Sequence, residues 1–279
     1  MDSVHSPGHG PARDALAGAN ALGEVAVVVL WVLLAALYLV AGRRVALLGR
    51  TGMPPARTAS WLVGTGLGLA VTAGPLAREA TSSFTAHTAV HLALGMVVPV
   101  LLVLGAPVTL VLRAVPARTG RRISAVARSA PVRALTHPVI AGLLATAPMT
   151  ALYWNGSALE LLHDPVLGPF LHLHFLAAGA LFAYAVVGSD PNPHRATSWL
   201  RGVVIVVSIA VHGVMAKHLY AIADRPGMPA ETEQAAQLMY YGGDAAHVML
   251  LVVFCAQEYR RSGHRLQRGL VAERAVPRG

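Results

Sequence analysis

The chain has 279 residues, of which 55% are hydrophobic and 13% are charged, and its formal net charge is +9. Soluble domains carry about 25% charged residues, so the composition excludes an ordinary soluble domain and predicts an integral membrane protein. The positive charge does not indicate nucleic acid binding, because the arginines lie in connections between apolar stretches, as the orientation determinants of membrane proteins do.

Seven apolar stretches approach the roughly 20 residues that a helix needs to cross a bilayer. In chain order they are residues 24–41, 58–77, 88–112, 138–155, 169–188, 199–221 and 240–257. We therefore predict an all-α integral membrane protein, a bundle of seven transmembrane helices. Residues 1–23 would form an extracytoplasmic N-terminal tail, 24–257 the transmembrane domain and 258–279 a basic cytoplasmic tail. No cleavable signal peptide is expected, because the first residues lack a basic segment.

The uneven distribution of arginine predicts the orientation of the bundle. Arginines are concentrated in the first connection, in the third connection and after the last span: Arg43, Arg44, Arg50 and Arg57; Arg113, Arg118, Arg121, Arg122, Arg128 and Arg133; Arg260, Arg261, Arg265, Arg268, Arg274 and Arg278. The second, fourth and sixth connections are poorer in arginine and hold several acidic residues. Since basic loops stay in the cytoplasm, the N-terminus is predicted outside and the C-terminus in the cytoplasm.

This topology places seven histidines from four spans in one outer layer of the membrane. They are His87 and His91 in the third span, His172 and His174 in the fifth, His212 and His218 in the sixth, and His247 in the seventh. Ionisable side chains at membrane depth are expensive and mark function by default. The layer is therefore a candidate functional site.

Helical spacing indicates which of these side chains can act together. His87 and His91 are four residues apart and lie on one face, as two ligands of one ion would. Asp244 and His247 are three residues apart and also share a face. His172 and His174 cannot both face inward on a regular helix, so one of the two is expected to be structural.

Imidazole combined with thioether is a ligand set that suits copper, particularly Cu(I). Met215 lies between His212 and His218, while carboxylates are scarce, which argues against calcium or magnesium. Cys255, the only cysteine, excludes a cysteine-based metal site and is predicted to be a small core residue. The candidate metal ligands are His87, His91, His172, His174, His212, Met215, His218, Asp244 and His247.

Two motifs without histidine clusters are predicted to shape the backbone. In "LGAPV", residues 104–108, a kinked helix is expected, since Pro99 and Pro107 each remove a backbone donor. The stretch "GSDPNPHR", residues 188–195, has the composition of a tight turn, with Asp190 as a turn or capping residue.

The longer motifs resemble those of one protein family. "AHTAVHLALGMVVPVLLVLGAPVTLVLRAVPAR", "LTHPVIA", "LHLHFLAAGALFAYAVVGSDPNPHR" and "VHGVMA" are similar to the signature of the CtaG-type assembly factors of bacterial caa3-type cytochrome c oxidase. The resemblance implies a multi-pass protein of the bacterial plasma membrane that is needed to assemble the oxidase at the stage of copper insertion. It carries over His87, His91, His172, His174 and His212.

The expected partners are cytochrome c oxidase subunits, an extracytoplasmic copper chaperone and the lipid bilayer, and no nucleic acid is expected. No enzymatic activity is expected, since paired carboxylates, a nucleophile elbow and a phosphate loop are not apparent. Two other functions stay open: a haem-binding membrane protein, because histidines on facing helices can be axial ligands, and a permease for copper or protons.

Overall fold

The structure is a computed structural model that describes residues 11–154 and 167–274, and every regular element in these residues is helical. The α-helices are α1 Pro11–Leu47, α2 Pro55–Ala73, α3 Pro75–Glu79, α4 Phe84–Leu92, α5 Val98–Leu104, α6 Pro107–Ala114, α7 Ala117–Ala127, α8 Ala130–Leu135, α9 Pro138–Trp154, α10 Leu167–Val187, α11 Ser198–Ala221 and α12 Thr232–Arg274. A π-helical turn, Ala93–Val97, joins α4 to α5.

Six helical segments within the described residues are long and apolar enough to cross a membrane: Gly23–Leu47, Pro55–Glu79, Phe84–Ala114, Leu167–Val187, Ser198–Ala221 and Thr232–Gly263. The apolar helix α9, at the place of the predicted span 138–155, is shorter, with 17 residues. The all-α membrane architecture is therefore confirmed, with six candidate spans. Residues 1–10, 155–166 and 275–279, which include parts of both predicted tails and of the fourth connection, lie outside the described residues.

Several predicted helix boundaries fall inside longer helices. α1 already begins at Pro11, within the segment predicted as a tail. α12 begins at Thr232, eight residues before the predicted span, and runs to Arg274. Hydropathy cannot show these ends, because a helix continues beyond the apolar part of its sequence wherever its backbone hydrogen bonds are satisfied.

The third span is interrupted near its end, as the proline pattern predicts. Ala106 adopts a left-handed conformation with φ of 51°, and α6 begins at the next residue, Pro107. The Asp190 carboxylate accepts hydrogen bonds from the backbone N–H groups of Val108, at 3.1 Å, and Thr109, at 2.7 Å. Asp190 is therefore a capping residue, although the helix that it caps lies 82 residues earlier in the chain. A carboxylate at this position also complements the helix dipole.

The end of α10 is held by side chains from its two neighbours. Arg201 of α11 donates a hydrogen bond to the Val186 carbonyl at 2.7 Å, and Gln257 of α12 donates to the Val187 carbonyl at 2.8 Å. These carbonyls lie in the last turn of α10, where no intrahelical donor is available. The two contacts fix α10, α11 and α12 relative to one another at the end opposite the histidines.

Cys255 is exposed on the face of α12 that points away from the helix bundle. The prediction that it is a core residue was therefore wrong. Buried side chains on α12 recur at helical spacing, with Ala246, Leu250 and Phe254 all facing the bundle. Cys255 is one residue past this stripe, and one residue rotates a side chain by about 100° around a helix. An apolar helix in a membrane gives no hydropathy signal that separates its buried face from its lipid-exposed one.

The backbone of α10 at Gly179 lies in direct contact with the backbone of the π-helical turn at Gly95. A Cβ at Gly179 would lie 2.1 Å from the Gly95 carbonyl oxygen and 2.9 Å from Pro99. Small residues allow this kind of approach between membrane helices. The glycine therefore sets the distance between the helix that carries His172 and the one that carries His91.

Gly179→Ala is expected to destabilise the protein by about 1–3 kcal/mol, the usual effect of an added methyl group in a packed interior. The measurement is thermal unfolding of the detergent-purified protein, with a lower melting temperature as the expected result. Gly66→Ala is the matched control, because nothing lies within 4 Å of a Cβ there. Equal melting temperatures for the two variants would contradict the close approach.

Candidate metal centre

Helix α4 brings His87 and His91 together. Its N-cap is Ser83, whose hydroxyl oxygen accepts a hydrogen bond from the Ala86 N–H and so satisfies one of the free donors of the first turn. The two histidines follow one turn apart on the same face, and their Nε2 atoms are 2.9 Å from each other. Both side chains are buried, with 6% and 2% of their surface exposed. The two rings therefore share one face of α4, as their spacing indicates, and their role as metal ligands stays a prediction.

The segment before α12 anchors the start of α4. Glu231 accepts a hydrogen bond from the Ser83 hydroxyl at 2.6 Å and another from the Thr85 N–H at 3.2 Å. These bonds favour the charged carboxylate and hold the pKa of Glu231 below its usual range, the Ser83 hydroxyl having the larger effect. A negative charge at this point also complements the N-terminus of α4.

His172, on α10, completes a group of three. Its ring centroid is 5.6 Å from that of His87 and 5.5 Å from that of His91. One nitrogen from each of the three rings can be chosen so that all lie within 4.8 Å of one another. We call His87, His91 and His172 the three-histidine centre.

Backbone and phenol groups orient two of these rings. Nδ1 of His172 is 2.9 Å from the Gly168 carbonyl and must donate to it, which leaves Nε2 with the lone pair. Nδ1 of His91 is 3.2 Å from the Tyr153 hydroxyl of α9. Metal-binding histidines commonly use their second nitrogen in this way. Tyr153 is a site residue that the sequence interpretation missed, and no spacing in the sequence links it to His91.

His174 lies away from the three-histidine centre. Its Nε2 donates to the Leu144 carbonyl of α9 at 3.2 Å. His172 and His174 thus face different neighbours, as helical geometry requires. His218 stacks on Trp154, with ring centroids 3.9 Å apart, and donates to the Trp154 carbonyl at 3.3 Å. Both histidines connect α9 to the rest of the bundle.

His212 and His247 form a separate pair between α11 and α12, with ring centroids 5.3 Å apart. Both are buried, as is Met215, which lies one turn after His212. Asp244 is half-buried and precedes His247 by one turn on α12. The nine predicted ligands therefore divide into the three-histidine centre, this pair with its neighbours, and two outlying histidines.

A cavity of about 60 Å³ connects the two groups. It has room for a few water-sized molecules. Its walls include three imidazoles and three thioethers, from His91, His212, His247, Met96, Met149 and Met215.

The three-histidine centre satisfies the basic geometric demand of a metal site. Nitrogen ligands lie about 2.0–2.1 Å from a bound metal, so two of them are at most about 4 Å apart. The three nitrogens, all within 4.8 Å, reach this spacing with shifts of less than about 1 Å. Neutral imidazole suits borderline and soft transition metals, whereas calcium and magnesium prefer oxygen ligands.

Comparison with known proteins gives the family. The model of the cytochrome c oxidase caa3 assembly factor family matches residues 36–261. An uncharacterized protein of Mycobacterium bovis and one of Mycobacterium tuberculosis are each 35% identical to the chain over 150 residues. An uncharacterized protein of Mycobacterium leprae is 32% identical over 149 residues.

The match covers 51% of this chain and only 22% to 23% of each relative, which is less than a quarter of the relatives' length. No solved structure matches the chain. The family model, in contrast, covers most of the chain. It includes every histidine of the three-histidine centre and both histidines of the pair His212 and His247. The chain belongs to the cytochrome c oxidase caa3 assembly factor family.

Proposed function

We propose that the chain binds Cu(I) at the three-histidine centre and supplies it to cytochrome c oxidase during assembly. The observation that carries the proposal is the approach of three imidazole nitrogens to within 4.8 Å of one another inside a membrane helix bundle. The family membership supports a role in oxidase assembly. Copper is the cargo of the protein and passes on to an oxidase subunit, after arriving from an external chaperone or from solution.

The surroundings of the centre favour a singly charged, soft ion. Its three side chains are imidazoles, which carry no charge when they bind a metal. They lie beside the aromatic rings of Tyr153 and of Phe175, whose ring centroid is 4.6 Å from that of His91. The free-energy cost of desolvating a cation rises steeply with its charge. Cu(I) therefore fits this environment better than a divalent ion. A haem is a poor fit, because its macrocycle needs a pocket of several hundred Å³ and the adjoining cavity has about 60 Å³.

Metal analysis and absorption spectra of the detergent-purified protein, loaded anaerobically with Cu(I), test the proposal. The wild type is expected to retain copper without a Soret band, and His87→Ala/His91→Ala to lose the ion of this centre. His174→Ala is the matched control, since His174 lies nearby but bonds to α9. A Soret band that disappears in the double variant would replace the copper proposal by haem binding, and unchanged copper in that variant would contradict it.

We also propose that α9 is a seventh span, with the N-terminus outside and the C-terminus in the cytoplasm. Its 17 residues reach about 26 Å at 1.5 Å per residue, close to the thickness of the hydrocarbon core. The arginine-rich segment that contains α7 and α8 would then face the cytoplasm. The three-histidine centre, near the start of the third span, would lie on the outer side of the membrane.

Labelling of intact cells with a membrane-impermeant maleimide tests this topology. In a Cys255→Ser background, Ser82→Cys is expected to be labelled, while Ala125→Cys and Ser189→Cys are expected to be protected until the cells are lysed. All three positions are exposed: Ser82 lies before α4, Ala125 lies on α7 before α9, and Ser189 follows α10. Labelling of Ala125→Cys with protection of Ser82→Cys in intact cells would reverse the orientation, and labelling of Ser189→Cys with protection of Ala125→Cys would remove the seventh span.

A further inference from the structure

Backbone carbonyls hold one ring nitrogen of His212 and one of His247. Nε2 of His212 is 3.0 Å from the Met239 carbonyl, and Nδ1 of His247 is 2.9 Å from the Gly243 carbonyl. A carbonyl only accepts, so these two nitrogens carry the hydrogens. The lone pairs then belong to Nδ1 of His212 and Nε2 of His247. One nitrogen of each ring is held by the backbone and the other is available as a ligand.

Gly243 creates the space that His212 occupies. A Cβ at position 243 would lie 2.0 Å from Nε2 of His212 and 2.5 Å from its Cδ2. The imidazole therefore rests directly on the α12 backbone, where it reaches the Met239 carbonyl. The neighbouring Gly213, on α11, is different: a Cβ there would be 3.9 Å from Tyr240, an ordinary contact.

Thioether sulfur is available beside this pair. Met215 is three residues after His212 on the same face of α11 and is 2% exposed. Met149, from α9, and Met96, from the π-helical turn, line the same cavity. Two imidazoles and a thioether are a ligand set suited to Cu(I).

We propose that His212, His247 and Met215 form a second Cu(I) site, separate from the three-histidine centre and facing the same cavity as His91. This inference rests on the proposed function and adds that two ions bind. Copper passes between the sites by exchange of neutral ligands, with Met96 and Met149 along the cavity wall. The ion stays Cu(I) throughout, so no electron or proton is transferred.

The test is an anaerobic Cu(I) titration of the full-length purified protein against the chromophoric chelator bicinchoninate. We expect two ions per chain in the wild type and one in Met215→Leu/His247→Ala. Met215→Leu alone conserves volume, so it is expected to fold normally and to weaken the second ion by about 10-fold or more. The copper X-ray absorption spectrum at two equivalents is expected to contain a sulfur contribution that both variants lack.

A pair of glycine variants tests the same site without removing a ligand. Gly243→Ala is expected to displace His212 and reduce binding from two ions to one, while Gly213→Ala is expected to keep both. One ion in the wild type, lost in His87→Ala/His91→Ala and kept in Met215→Leu/His247→Ala, would overturn the second site and leave the proposed function intact. Two ions in Met215→Leu/His247→Ala would also overturn it. No binding in the wild type would contradict the proposed function itself.

Discussion

Cells that carry His91→Ala are expected to have at least about 10-fold less caa3-type oxidase activity than wild-type cells. The oxidase purified from them is expected to contain at least about 10-fold less copper. His91 lies 2.9 Å from His87, belongs to the three-histidine centre and also lines the cavity that leads to the second pair. Changing even an outer partner of a metal ligand typically weakens metal binding 10- to 100-fold, and loss of a ligand itself has a larger effect. Oxidase activity in isolated membranes is the measurement.

The control for this experiment is His174→Ala, which removes an imidazole from the same layer but outside the three-histidine centre. It is expected to retain most of the oxidase activity. Wild-type activity in cells that contain His91→Ala at a normal level would contradict delivery of copper through this centre.

Arg201→Ala is expected to destabilise the protein by about 3–5 kcal/mol, because it removes two hydrogen bonds of a charged group that contribute about 1.5–3 kcal/mol each. The Arg201 side chain is 2% exposed and lies 2.6 Å from a Glu258 carboxylate oxygen. It also donates to the Val186 carbonyl and lies over the Phe254 ring. The substitution leaves the Val186 carbonyl without this donor and the Glu258 carboxylate with only Arg261 and the Ser198 hydroxyl as partners. Thermal or denaturant unfolding in detergent measures the change.

Arg261→Ala is the matched control, because Arg261 contacts the same carboxylate oxygen at 2.7 Å but its side chain is 36% exposed. Exposed pairs contribute about 0–1 kcal/mol. The first substitution should therefore lower the melting temperature much more than the second. Similar effects of the two variants would mean that burial of Arg201 does not matter to stability.

The membrane helices were predictable because hydropathy is a local property of the chain, while their rotation in the bundle was not. The i, i+4 spacing of His87 and His91 is enough to place them together. Which of His172 and His174 joins them depends on how α10 is rotated, and the close approach at Gly179 sets that. The same limit explains Cys255, whose position in an apolar helix is compatible with both core and lipid contact.

Long-range partners were also beyond the sequence pattern. The predicted topology put the seven histidines in one layer, but the fold divides five of them into two groups beside a cavity and leaves His174 and His218 outside both groups. Tyr153 reaches His91 across 62 residues, and Asp190 caps a helix through Val108, 82 residues earlier in the chain. These contacts depend on tertiary packing, so a periodicity within one helix cannot reveal them. The turn chemistry of Asp190 predicted a capping role without predicting its helix.

The copper X-ray absorption spectrum of the Met215→Leu/His247→Ala variant, loaded with one equivalent of Cu(I), tests the three-histidine centre most directly. This variant lacks two of the three ligands of the second site, so the three-histidine centre is the remaining site for the ion. The predicted spectrum shows imidazole nitrogens at about 2.0 Å and disappears when His87, His91 and His172 are also changed to alanine. Failure to retain copper, or an unchanged spectrum after these three substitutions, would contradict the centre.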